Sequence, residues 1–245
     1  MKPTLALLVA AALCGCAKFP EDGGGTANVT RIQFRMRVQG KINTTLDNDP
    51  ITNYIYAVAI RASADENPNP ETNPQPVFSA PHPNGFVQGE PTHFVLFDSI
   101  NPQSQYPYVL YRFARTGDPE NPINLASWTR VDQQIINFVR PDAGSNELRF
   151  DLFINQLADS VEEQNSLRFL QVNFLTMNRY ARDTVSGRQQ DYLGNNNNPV
   201  DVNKAITIDL RTNTVRENDN DYEPTGDTPD PDLDIVDWSV QVVRP

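Results

Sequence analysis

Apolar and polar residues alternate with a period of two along much of the chain after residue 29. Residues 30–39 show this most clearly, because every second side chain from Ile32 to Val38 is apolar and those between are Arg or Gln. Such a period places alternate side chains on opposite faces of a β-strand, so this segment predicts a strand with one buried face. Residues 53–62 are apolar on both faces, which indicates a central strand covered on both sides.

Eight further segments predict strands, and no segment has the pattern of a long amphipathic helix. They are residues 93–98, 108–115, 127–131, 134–139, 147–154, 167–177, 205–210 and 235–243. Residues 156–165 allow one helical turn at most. Asn, Asp, Pro and Gly separate the segments, which favours antiparallel pairing. We therefore predict an all-β fold, an antiparallel β-sandwich of roughly ten strands with long Pro/Asn/Asp-rich loops, with a closed barrel as the alternative.

The first sixteen residues have a different pattern. Leu5 to Leu13 form an unbroken apolar run after Met1-Lys2. Nine helical residues are too few to cross a bilayer, which needs about 20, so the run is typical of an export signal. The following Leu13-Cys14-Gly15-Cys16 resembles the lipobox of bacterial lipoproteins, with Cys14 where Ala or Ser is usual. The resemblance implies cleavage before Cys16, a diacylglycerol on its sulfur and a fatty acyl group such as palmitate on its amine.

The resemblance also implies a domain organisation and an address. We expect a signal peptide at residues 1–15, the lipidated Cys16 with a flexible tether at 16–28, and a single β-sandwich domain at 29–245. More than one acyl chain on Cys16 would provide stable membrane anchoring. Ala17 stands where Asp favours retention in the inner membrane of Gram-negative bacteria, so the outer membrane is the expected address. An ordinary cleaved signal and a secreted protein are the alternative.

Charge is distributed unevenly. The chain has 20 Lys and Arg against 31 Asp and Glu, a net charge of -11, which argues against nucleic acid as a partner. Residues 217–234 contain eight of the acids and no Lys or Arg. Closely spaced carboxylates suit Ca²⁺, although the order of an EF-hand loop is missing. Residues 217–234 therefore form either a solvated loop or a calcium site made by Asp219, Asp221, Asp227, Asp230 and Asp232. No other cofactor is expected.

A second long insertion, residues 63–92, contains seven prolines. Connections of this length are usually functional or disordered. Its first half is polar and predicts an extended, polyproline-like conformation. Its second half carries Val77, Phe78 and Phe86, so we expect it to fold back onto the body of the domain.

Three groups of side chains could carry chemistry. Tyr106, Tyr108 and Trp128, with Tyr111, could form an aromatic platform that stacks on sugar rings, or they could be ordinary core residues. His82 and His93 lack the sequence context of a catalytic triad. The carboxylates near strand ends (Asp98, Asp132, Glu147 and Asp151) show no feature that singles out a catalytic pair.

The sequence therefore predicts a lipid-anchored cell-envelope protein with a non-enzymatic recognition or assembly role and no catalytic residue. Its expected partners are the membrane, through Cys16, and an envelope protein or polysaccharide. Two alternatives remain open: a carbohydrate-binding surface module that uses Tyr106, Tyr108 and Trp128, and a hydrolase that uses carboxylates or a calcium site.

Overall fold

The computed structural model describes residues 29–44, 54–99, 101–182, 187–198, 204–218 and 222–245. These residues form fourteen β-strands in antiparallel sheets with little helix, and the predicted all-β sandwich is confirmed. The predicted signal peptide, lipidation site and tether lie outside the described residues, as do Asp219 and Asp221.

The first sheet has five strands. Their order is β13 (Thr214–Glu217), β14 (Ile235–Val243), β1 (Arg31–Val38), β9 (Glu147–Phe153) and β8 (Phe138–Val139). In β1 the predicted alternation is confirmed, because Ile32, Phe34, Met36 and Val38 are buried and the residues between them are not.

The second sheet has seven strands. Its path is β11 (Gln190–Tyr192), β10 (Phe169–Met177), β2 (Ile55–Ser63), β5 (His93–Phe97), β6 (Tyr108–Arg115) and β7 (Ile123–Arg130). The remaining strand, β12 (Ile206–Asp209), also pairs with β10, on residues that precede those paired with β11. β2 lies between β10 and β5, as its apolar sequence predicts.

The main core lies between the two sheets. Phe34 stacks on Phe150 across β1 and β9 with ring centroids 5.1 Å apart, and Trp238 of β14 lies 6.1 Å from Phe174 of β10. Burial of a large apolar side chain contributes about 1.5–3 kcal/mol, so these inward-facing positions hold the sheets together.

A second apolar layer covers the outer face of the seven-stranded sheet. Residues 73–90, hereafter the covering segment, contain the two-stranded ribbon β3 (Gln75–Pro76) and β4 (Val87–Gln88). Phe86 and Val87 pack with outward-facing residues of β2, β5 and β10, including Ala57 and Phe94. The expectation that this part folds back is confirmed for Val77 and Phe86, whereas Phe78 remains 44% exposed.

In the part of the chain that the structure describes, helical structure is limited to short segments. A 3-10 turn at Ile154–Leu157 precedes α1 (Val161–Ser166), whose N-cap Ser160 accepts a hydrogen bond from the Glu163 N–H at 3.1 Å. Another 3-10 turn at Pro70–Thr72 interrupts the stretch predicted to be extended. Among the described residues, no helix is long and apolar enough to cross a membrane.

Candidate functional sites

The structure gathers four acidic side chains in one buried cluster. Asp191 comes from β11, Asp234 directly precedes β14, and Glu223 and Asp227 lie between β13 and β14. One carboxylate oxygen each from Asp191, Asp227 and Asp234 lies within 4.8 Å of the other two. All four residues are buried, with Asp191 and Asp234 at 0% exposure. We refer to Asp191, Glu223, Asp227 and Asp234 as the carboxylate cluster.

Backbone N–H groups hold two of these carboxylates in place. Asp191 Oδ2 accepts from the Ile235 N–H at 2.6 Å, and Asp191 Oδ1 accepts from the Tyr192 N–H at 3.0 Å. Asp234 accepts from the Gly226 N–H at 2.9 Å. The Asp191 bond joins the seven-stranded sheet to the start of β14 in the other sheet, so the cluster lies where the two sheets meet.

The other two carboxylates are only partly satisfied. Asp227 Oδ2 accepts from the Asn196 N–H at 2.8 Å and Glu223 Oε2 from the Gly194 N–H at 3.1 Å. Asp227 Oδ1 and Glu223 Oε1 are buried and have no hydrogen-bond partner among the described residues. An unpaired buried oxygen is costly, and more so when the group is ionised.

Burial and mutual repulsion raise the pKa values of the cluster. Desolvation is the main cause, followed by the charges of Asp191 and Asp227, and together they raise the pKa of Glu223 to about 11. Burial raises the pKa of Asp227 to about 6, and the neighbouring Asp234 contributes. The pKa of Asp191 is raised well above its ordinary value, chiefly by burial and then by the charge of Asp227. Without a compensating cation, the cluster therefore retains protons.

The remaining described acids of the predicted calcium set lie elsewhere. Asp230 accepts a hydrogen bond from the Tyr54 hydroxyl, and Asp232 Oδ1 accepts from the Lys41 N–H at 2.8 Å. These two carboxylates fasten the acidic loop to the segments before β2 and after β1. Of the predicted set, only Asp227 joins the cluster among the described residues.

Nothing in the sequence selects Asp191 or Glu223 as ligands, and Asp234, which continues the alternate spacing of Asp230 and Asp232, was outside the predicted calcium set. Glu223 and Asp234 are in the acidic segment, but their spacing does not distinguish them from their neighbours. Asp191 is an isolated acid in a polar stretch, and only the pairing of β11 with β10 brings it to the cluster.

The predicted aromatic platform is not formed. Tyr108 is 2% exposed in the core between the sheets, and its hydroxyl donates to the Val139 carbonyl at 2.9 Å. Trp128 is half-buried on the opposite face of the sheet, 6.1 Å from the ring of Phe94. Tyr108 and Trp128 therefore cannot stack on one ligand, and the half-buried Tyr106 lies in the loop before β6.

A groove of about 370 Å³ opens beside the outer face of the seven-stranded sheet. Its apolar surface includes Ile55, Leu96 and Val109 from three adjacent strands. Three tyrosines, three polar or acidic side chains and one arginine complete its lining: Tyr54, Tyr111, Tyr180, Asp98, Ser99, Asn178 and Arg179. We call this site the tyrosine groove.

Hydrogen bonds fix part of the polar lining of the groove. Ser99 Oγ donates to the Tyr54 carbonyl at 2.8 Å, and Asn178 Oδ1 accepts from the Gln189 N–H at 2.9 Å. Arg179 Nε is buried and has no hydrogen-bond partner in the described ranges. Tyr180, 38% exposed, packs edge-on against Phe86 of the covering segment, with the Arg182 guanidinium 5.3 Å from its ring centre.

His93 has a structural environment. It is 2% exposed, its Nδ1 lies 2.9 Å from Thr92 Oγ1, and its Nε2 accepts from Arg112 Nε at 3.0 Å. Burial, with a contribution from Arg112, lowers its pKa to about 3. His82 also has a lowered pKa, through burial and then the charge of Arg188. A neutral His93 in this position secures β5 to β6.

The carboxylates near strand ends are dispersed. Glu147 and Asp151 lie four residues apart on β9, a rise of about 13 Å, which exceeds the separation of a glycosidase pair. They pair with Arg35 and Arg31, each at 3.5 Å. Asp98 lines the tyrosine groove, and Asp132 lines a separate depression near Arg112.

No protein-family model matches the chain, and no curated protein or solved structure matches it significantly.

Proposed function

We propose that this chain is a lipid-anchored protein of the bacterial cell envelope with a non-enzymatic recognition role, and that the tyrosine groove is its ligand-binding surface. The observation that carries the proposal is the groove itself, which combines an apolar wall, three tyrosines and a few fixed polar groups. Ligand sites are concave, largely apolar surfaces with a small number of placed polar groups. Such a groove favours capture of a ligand over a purely structural role in assembly.

The composition of the groove supports binding and gives no support to hydrolysis. Its acid, Asp98, accepts a hydrogen bond from the Asn101 N–H at 3.0 Å, and the Ser99 hydroxyl donates to a carbonyl. Neither histidine lines the groove. A nucleophile within hydrogen-bond reach of a base, the usual sign of covalent catalysis, is missing from this lining.

A glycan is the ligand class that the groove fits best. Tyr111 and Tyr180 offer ring faces or edges to the apolar C–H patches of a sugar, while Asn178 and Arg179 offer donors to its hydroxyl or carboxylate oxygens. The carbohydrate-binding alternative is thus kept, but the residues proposed to bind the sugar are those of the tyrosine groove instead of Tyr106, Tyr108 and Trp128.

The anchor is tested by cell fractionation and intact mass. We expect the full chain to partition into membranes with the mass of a triacylated protein that begins at Cys16. Cys16→Ala should leave an unprocessed or soluble chain. A wild-type mass equal to that of the unmodified polypeptide would contradict the anchor.

Ligand binding is tested with the detergent-extracted full-length protein on an array of bacterial envelope polysaccharides. We expect binding of at least one glycan, weakened about tenfold or more by Tyr180→Ala and by Arg179→Gln. The matched control is Val215→Ala, an exposed apolar residue on β13 of the other sheet, 55% exposed, which should bind normally. Equal loss in all three variants, or no glycan bound, would exclude the groove as a glycan site.

A further inference from the structure

We propose that the carboxylate cluster binds one calcium ion, which joins the two sheets at the end where β11 approaches β14. Calcium bonds to oxygen at about 2.3–2.6 Å, so any two of its ligands lie at most about 5 Å apart. The oxygens of Asp191, Asp227 and Asp234, mutually within 4.8 Å, meet this condition. The inference is independent of what the tyrosine groove binds.

The unpartnered oxygens provide a second, separate indication of a cation. Glu223 is 2% exposed and Asp227 is 7% exposed. Within the described parts of the chain, each has one carboxylate oxygen with a hydrogen-bond partner and one without. Buried polar atoms are normally satisfied. The backbone donors thus position both side chains. Asp227 is in this way prepared to coordinate a metal with Asp191 and Asp234, while Glu223 lies in the same buried cluster outside that group of three.

The charge balance of the cluster also requires a cation or protons. Four carboxylates are buried together, and among the described residues no Lys or Arg nitrogen lies within 4.0 Å of any of them. Buried charges are normally paired or bound to a metal. Protons are the competing solution, and they become harder to retain as the pH rises.

Neutral oxygens nearby extend the ligand supply. Thr228 Oγ1 and the Gln190 carbonyl lie 3.3 Å from each other, and the Asn196 side chain contacts both as well as Asp191 Oδ1. Calcium takes six to eight oxygen ligands, including carbonyls, whereas magnesium usually keeps several of its waters. A buried site rich in protein oxygens therefore favours calcium.

The position of the cluster predicts what the ion does. Asp191 belongs to the seven-stranded sheet, while Asp234 directly precedes β14 of the five-stranded sheet. An ion shared by these two residues would hold the acidic segment and both sheets in one arrangement. Removal of calcium should accordingly loosen residues 222–234 first.

The test uses the full-length protein in detergent, stripped of metal with a chelator and titrated with CaCl₂ at pH 8. We expect saturable binding of one ion by calorimetry. The melting temperature should rise by about 5–10 °C once calcium exceeds its dissociation constant about a hundredfold. Magnesium at the same concentration should give a much smaller rise.

Variants distinguish the cluster from the general acidity of the loop. Asp227→Asn should weaken calcium binding about tenfold or more. With no metal present, at pH 8, this variant should melt at the same temperature as wild type or at a higher one, because the substitution removes repulsion between neighbouring carboxylates. Asp230→Asn, in the same segment but bonded to Tyr54, is the matched control and should bind calcium normally. If the protein does not respond to calcium, or if both variants lose the response equally, the proposal is wrong. Stability that depends on pH but not on calcium would assign the cluster to protons instead.

Discussion

Asn84 is one of the side chains that fasten the covering segment, and its replacement gives a quantitative test of the fold. Asn84 is fully buried, and its Oδ1 accepts from the N–H groups of Phe86 at 3.0 Å and Val87 at 2.9 Å. Its Nδ2 donates to the Leu125 carbonyl at 3.2 Å, which connects the segment to β7. In Asn84→Ala all three bonds are lost, and the two buried N–H groups have no partner.

The expected loss follows from these bonds. A buried donor without a partner costs about 1–3 kcal/mol, so two orphaned N–H groups give an expected destabilisation of about 2–4 kcal/mol. Asn84→Asp keeps the acceptor for both N–H groups. Measured at about pH 4, where a buried carboxyl group can hold its proton and donate to the Leu125 carbonyl, it should cost less than Asn84→Ala. Equilibrium urea unfolding followed by tryptophan fluorescence measures both. Trp238 of β14 reports on the core between the sheets, and Trp128 reports on the outer layer of the seven-stranded sheet.

Two results would refute this reasoning. One is an Asn84→Ala variant within about 0.5 kcal/mol of wild type, the usual range for surface substitutions. The other is an Asn84→Asp variant as unstable as Asn84→Ala. Either result would mean that the turn does not depend on the Asn84 acceptor.

Three further predictions concern pH and the core. In chelator, wild type should lose stability relative to Asp227→Asn as the pH rises from about 4 to about 6, because burial raises the pKa of Asp227 in the folded state to about 6 and the folded state therefore holds the proton more tightly than the unfolded state. A difference in melting temperature that does not vary with pH would contradict this. His93 should act in the opposite direction, because its pKa is lowered from 6.5 to about 3: the stability that neutral His93 contributes is present above pH 6.5 and is lost as the pH falls. His93→Gln should therefore flatten the acid side of the plot of stability against pH, and an unchanged slope there would exclude this role. Phe150→Ala should destabilise the chain by about 3–5 kcal/mol because it leaves a cavity against Phe34, whereas Val139→Ala, at an exposed position on the neighbouring β8, should cost little. Comparable urea midpoints for the two variants would disprove this.

Much of the fold was predictable because strand periodicity is a local property. The segments 108–115 and 235–243 agree with β6 and β14 at both ends, and the apolar run at 53–62 correctly indicated a strand buried on both faces. The strands that were missed, β3, β4, β11 and β13, have two to four residues each. A repeat of two cannot be recognised in so few residues, and pairing with a neighbouring strand defines them.

The candidate sites were less predictable, because they depend on contacts between distant residues. An isolated Asp191 has no local pattern, and the acids of the loop are alike in sequence although Asp227 enters the cluster and Asp230 bonds to Tyr54. Likewise, Tyr108 and Tyr111 belong to one strand whose two faces are both apolar. Only the packing of the second sheet determines that Tyr108 faces the core and Tyr111 the groove.

The sequence alone determined that this protein is built of antiparallel strands, that the second half of residues 63–92 returns to the body, and that its acidity is concentrated near the C-terminus. Periodicity, turn residues and charge spacing are local, so they can be read without coordinates. The tertiary structure alone decided the strand order, the outward face of each strand, and the meeting of Asp191 with Asp227 and Asp234. Those features depend on register and on packing between sheets, which arise from many weak contacts between segments far apart in the chain.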